Sequence, residues 1–301
     1  MSLALLLCLT DAFAGEPLVP RWDTGTTRTL KIDLFSYAPG IHPWGSDWKV
    51  TMLEQWTAVL ECRPMAARIE VCTFPQGVWW GFVLEGTTEF KAINLGTPGT
   101  IEITWTPRGR IASWDVQGDE REAFWNVVAD TMLQHTFHRP DVIYKPDSKR
   151  QIGQEVAGDL TRSFAAALEW ELPKKGDPNV SWRVSAAPWS MRRWVQGTAS
   201  EQVTVRIESE DAQGVHLDIS GRVNQVLPSD ETIHTMSVET KIMGKATFDR
   251  TKGQIVSAWT ETIEASTQPL TGHTHHTALV SSWKPGDPVA PADLPTPLLA
   301  P

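Results

Sequence analysis

Met236-Ser-Val-Glu-Thr-Lys-Ile-Met-Gly-Lys-Ala-Thr-Phe248 is the stretch that decides the fold. Met236, Val238, Ile242, Ala246 and Phe248 fall on one parity and mostly polar residues on the other. That period of two is the mark of a half-buried antiparallel strand. Thirteen residues make a long strand, and Gly244 offers a place for a bend or bulge, so the strand predicts a curved sheet. The same alternation recurs at Leu30-Ile32-Leu34, Val203-Val205-Ile207 and Val215-Leu217-Ile219. The expectation is a mainly β protein, with α+β character minor: two lobes of curved antiparallel sheet with one or two packing helices.

Helical periodicity is confined to the middle of the chain. Asp119 can cap a helix over about 120–137, with Glu122 as capping-box partner and Phe124, Val127, Val128 and Met132 as its apolar face. Over 152–172, Ile152, Val156, Leu160, Phe164 and Leu168 fit a helix while Phe164, Ala166, Leu168, Trp170 and Leu172 fit a strand; the favoured reading is helix to about Leu168 and a change before Pro173. An internal echo supports two lobes: Gly99-Thr-Ile-Glu-Ile-Thr-Trp-Thr-Pro-Arg-Gly109-Arg-Ile-Ala-Ser113 resembles Gly244-Lys-Ala-Thr-Phe-Asp-Arg-Thr-Lys-Gly253-Gln-Ile-Val-Ser257. Each reads as strand, glycine turn, strand. Internal duplication and two independent hairpins both remain open. The resulting division is a first β-rich lobe at 21–145, a helical connector at 146–172, a second β-rich lobe at 173–283, and a tail at 284–301 that its six prolines make polyproline-like and disordered.

The start of the chain reads as a signal peptide over 1–14, with an apolar run ending in Ala12-Phe13-Ala14, although no Lys or Arg precedes it. Its removal takes away Cys8 and leaves an even pair, Cys62 and Cys72. In an oxidising compartment these are expected to join as a disulfide across a hairpin turning near Arg63 to Ala67. The expected location is therefore the periplasm, the cell surface or the medium, with no transmembrane segment in the mature chain. The formal charge of −9 argues against nucleic acid as a partner, since phosphate binding needs a concentrated basic surface.

Fifteen tryptophans against two tyrosines is the compositional outlier. Indoles stack on sugars and grip cations, but they also fill β cores. Trp44 and Trp48 lie in a stretch from Pro39 to Trp48 that reads as a loop, and with the adjacent Trp79 and Trp80 they are the ligand-binding candidates. His273 and His275 fall on one side of a strand and are the weak metal candidates, short of the three or four ligands a stable site wants. Searches for Gly-x-Ser-x-Gly, His-Glu-x-x-His, Walker, dinucleotide and Cys-x-x-Cys spacings find nothing. No catalytic residue can be chosen, and no cofactor is implied. The reading is an exported, non-enzymatic binding or envelope-associated protein holding a lipid or other apolar ligand in a half-barrel groove. In pattern alone, with no shared motif, it resembles the lipoprotein-carrier half-barrels of bacterial envelopes. The alternatives are a Trp-mediated carbohydrate-binding protein and a hydrolase with dispersed acids among the 36 Asp and Glu. The candidate partners are lipid, glycan or another envelope protein.

Overall fold

The computed structural model describes residues 17–22, 27–40, 49–83, 90–135, 146–174, 180–185, 198–227, 236–267 and 274–285. The expected signal peptide, Trp44, Trp48 and His273 lie outside them. The elements in order are β1 (Arg28–Gly40), β2 (Lys49–Ala66), β3 (Ile69–Thr73), β4 (Val78–Val83), β5 (Phe90–Asn94), β6 (Thr100–Trp105), β7 (Ile111–Gln117), α1 (Glu120–His135), α2 (Pro146–Ala167), β8 (Ser181–Val184), β9 (Thr198–Asp211), β10 (Gly214–Leu227), β11 (Met236–Asp249), β12 (Gln254–Thr267) and β13 (Thr274–Pro285).

Among the described residues every strand pair is antiparallel, and the sheet curls as a half-barrel. Its order is β7-β6-β3-β2-β1-β13-β12-β11-β10-β9-β8, with β4 and β5 branching from β2. The two lobes of sheet meet where the first strand pairs with the last, from Leu30 opposite Pro285 to Tyr37 opposite Ala278. Lys284 and Pro285 thus close β13, where the sequence places the start of the tail. Each half contains one of the echoed hairpins, β6–β7 and β11–β12, and both turns carry a glycine at positive φ, 83° at Gly109 and 63° at Gly253. That conformation is open to glycine at little cost.

The alternation read in β11 is realised: Val238, Ile242, Ala246 and Phe248 are buried, while Ser237, Lys241, Met243 and Lys245 are exposed. Gly244 is not the bulge. It pairs regularly with Thr260, and the register shifts instead at Thr247/Phe248, where Val256 of β12 is the extra residue. Glycine is required at 244 for close approach, since a Cβ there would lie 2.3 Å from the Trp259 carbonyl oxygen.

The helices cover the apolar face. α2 buries Ala157, Leu160, Phe164 and Ala165, and the Phe164 ring meets Phe74 edge-on at 5.9 Å. α1 packs on α2 through Gly153, where a Cβ would be 2.2 Å from the Trp125 carbonyl oxygen. Two details of α1 differ from the sequence reading. Val127 is 41% exposed, because at 100° per residue it falls about 100° away from the direction of Phe124, Val128 and Met132. Glu122 reaches across to Arg150 at 3.4 Å, an ion pair between helices rather than a capping contact.

After α2 the chain stitches the two halves together. Leu172 N–H donates to Arg108 O at 2.8 Å in the β6–β7 turn, and Trp182 Nε1 of β8 donates to Glu171 O at 2.7 Å. Trp22 stacks on Trp105 at 5.2 Å beside a gap of about 30 Å3, room for a water or two. Buried residues of both halves and both helices form one continuous core.

Cys62 and Cys72 are directly opposite on β2 and β3 and form the disulfide, with Cα atoms 4.0 Å apart. The hairpin turns at Ala67 and Arg68, later than expected, with Arg68 at φ 67°. Replacing both cysteines by alanine is expected to cost roughly 2–3 kcal/mol. Because the core is shared, the loss should appear as a lower urea midpoint of a single transition. An unchanged midpoint, or two separate transitions, would refute this.

Candidate functional site

On the face opposite the core, register places one row of residues across the curl. It runs Trp79 (β4), Thr57 (β2), Asp33 (β1), Ser282 (β13), Trp259 (β12), Lys245 (β11), Asp218 (β10) and Arg206 (β9), each directly opposite the next. Directly opposed residues point to the same side of a sheet. A groove of about 520 Å3 lies along this row, lined by Lys31, Asp33, Glu208, His216, Lys245 and Trp259.

The β1 wall is held from below. Asp33 Oδ1 accepts from Thr57 Oγ1 at 2.8 Å, and from Gln55 Nε2 at 3.5 Å, which also donates to Thr57 Oγ1 at 3.1 Å. Thr57 and Gln55 are each 1% exposed, so their partners are fixed. Lys31 Nζ sits 3.5 Å from Asp33 Oδ2. Spacing of two along β1 gives both side chains the same face.

The opposite wall depends on a bulge. Between His216 and Leu217 the partner on β9 jumps from Ser209 to Ile207, which leaves Glu208 as the extra residue and brings Glu208 and Ser209 together over the groove. Lys245 Nζ donates to both Glu208 oxygens, at 3.1 and 2.9 Å. That hydrogen bonding first, and the ammonium charge second, hold the Glu208 carboxyl below its ordinary range. His216 Nε2 lies 2.9 Å from Asp211 Oδ2, and this contact, followed by the Gln213 N–H, lowers the Asp211 carboxyl likewise. Trp259 lies between the walls, 40% exposed, while Ala258 and Thr260 beside it are buried.

The candidates read from sequence divide. Trp80 is 1% exposed and stacks on Trp56 at 5.6 Å, so it is a core residue. Trp79, its neighbour on the other parity, is half-buried and shares the groove's face. His275 lies in β13 opposite Ser266. Among the described residues, Cys62, Glu70 and Cys72 come together as metal-type side chains. Both sulfurs are in the disulfide and Glu70 is held by Arg28, so the trio offers no ligand set. Trp259, Glu208, His216 and Lys245 were not singled out in the sequence. The available signal was an indole on a strand beside charged positions, but the bulge at Val256 masks its parity: Ile255 and Trp259 are evenly spaced yet face opposite sides.

No protein family and no curated protein matches the chain. Among solved structures it is similar to lipovitellin, studied for its lipid–protein interactions, at 12% identity and a TM-score of 0.48. The match covers 90% of this chain, which spans 26% of that one.

Proposed function

We propose that this chain is an exported, non-enzymatic binding protein of the cell envelope, taking a polar ligand in the groove on the sheet face opposite the core. The observation that carries the reading is the groove itself: about 520 Å3, within the range of small-molecule sites, walled by charged side chains on neighbouring strands. Export is supported by the apolar leader and by the disulfide, which persists in oxidising compartments. Among the described residues no helix is long and apolar enough to cross a membrane.

Glu208 is engaged through both oxygens by Lys245, an arrangement suited to holding a ligand's polar groups. A lipid's acyl chain would need the apolar face, which α2 covers with Leu160 and Phe164. The groove therefore suits a headgroup-like or sugar-like molecule better than a hydrocarbon.

The test is native mass spectrometry of protein purified from its own envelope. Wild type should carry an adduct that is lost in Ser209→Trp, a substitution that fills the groove from an exposed position. A wild-type protein of clean apo mass, or an adduct that survives Ser209→Trp, would overturn the reading.

A further inference from the structure

We infer that the groove is a saccharide site in which a neutral sugar ring stacks on Trp259 while the ion pairs Lys245–Glu208 and Lys31–Asp33 hydrogen-bond its hydroxyls. The inference rests on the groove being the ligand site.

Charge decides the class first. Two cations and two carboxylates face the groove, and each is already paired with the other kind, Lys245 with Glu208 at 2.9 Å and Lys31 with Asp33 at 3.5 Å. The groove then presents no net field from these four. An ionic ligand of either sign would meet one attractive and one repulsive charge in each pair, so neither sign is favoured. A neutral polyol suits both members of a pair, because a hydroxyl both donates and accepts. Capacity remains for it: an ammonium has three protons and a carboxylate about four lone-pair directions. Lys245 makes two contacts to Glu208, one fewer than its three protons, and among the described residues Asp33 Oδ2 has only Lys31 beside it, accepting nothing from Thr57 or Gln55.

Trp259 supplies the other half of sugar chemistry. Its indole is 40% exposed on a strand whose adjacent residues are buried. The strand backbone beneath it is pressed by β11 at Gly244. An aromatic ring on rigid backbone is an ordered, amphipathic platform, and its negative π face attracts the slightly positive C–H face of a pyranose. Flanking hydroxyls then reach the paired charges on β11 and β1, the strands either side of the β12–β13 pair. The row continues through Asp33 and Thr57 to Trp79, four strand steps from Trp259, or roughly 19 Å at the usual strand spacing.

The experiment is titration calorimetry with maltotetraose, cellotetraose, chitotetraose and, as a charged control, a tetragalacturonate. At least one neutral tetrasaccharide should bind with Kd of about 1 mM or tighter. Its affinity should change little between low and high salt, because no ion pair forms or breaks. Trp259→Ala should weaken it at least tenfold, Trp259→Phe should weaken it less, and Glu208→Gln should weaken it without abolishing it. Both Trp259 variants should keep the wild-type urea midpoint, the indole being on the surface. Failure of all three neutral sugars, binding of the charged control alone, or equal affinity in Trp259→Ala would overturn the saccharide. The mass-spectrometric test separates the two claims: an envelope adduct that is not a saccharide yet is lost in Ser209→Trp leaves the groove standing and removes only the sugar.

Discussion

Arg28→Ala is expected to lower the unfolding free energy by about 3–5 kcal/mol, the cost of leaving a buried ion without its partner. Glu70 is fully buried on β3 and accepts from Arg28 Nε at 2.8 Å, from Arg28 Nη2, and from Trp105 Nε1 at 3.2 Å. The forked guanidinium satisfies both carboxylate oxygens at once, which an ammonium cannot do, so Arg28→Lys should recover only part of the loss. Deleting the acid as well changes the outcome. Arg28→Met combined with Glu70→Leu removes both desolvated charges and should return most of the stability. The measurement is urea unfolding of wild type, the two single variants and the double variant. A loss below about 1 kcal/mol for Arg28→Ala, or a double variant no better than the single, would show that the pair is solvated in solution.

The second large effect is expected at Phe164, where alanine should cost about 3–5 kcal/mol by combining lost burial with a cavity. Phe164 is fully buried on α2, edge-on to Phe74. The size of the loss also bears on function. If α2 were a lid that left the apolar face to admit a hydrocarbon, its anchor would be held weakly and alanine would cost little. A loss of several kcal/mol, read by urea unfolding, identifies α2 as permanent core. A loss under about 1 kcal/mol would reopen the apolar face to a lipid.

Much of the architecture was legible because both main signals are local. Period two in 236–248 became β11, and the helical spacing of Leu160 and Phe164 became the buried side of α2. The cysteine pair followed from parity of number, and the strands put the two residues opposite each other. The groove was illegible for a physical reason. It depends on two bulges, at Glu208 and Val256, each shifting the parity by which sequence assigns a face. Trp259 sits four residues after buried Ile255 and would have been placed inside on spacing alone. The Trp79-Trp80 pair shows the complementary difficulty: adjacent strand residues face opposite sides, and composition cannot say which one the core takes.

The pairing of β1 with β13 bears on how the chain acquires its shape. The strand at the centre of the sheet has one neighbour close in sequence and one more than two hundred residues later. A polypeptide delivered from its N-terminus holds the β1 edge open until Thr274–Pro285 arrives. For that interval the edge exposes unpaired amides and carbonyls, a template for association with other chains. Closure over such a separation is slow, so this protein should depend on a holding chaperone during biogenesis more than a sheet built of nearest-neighbour hairpins would.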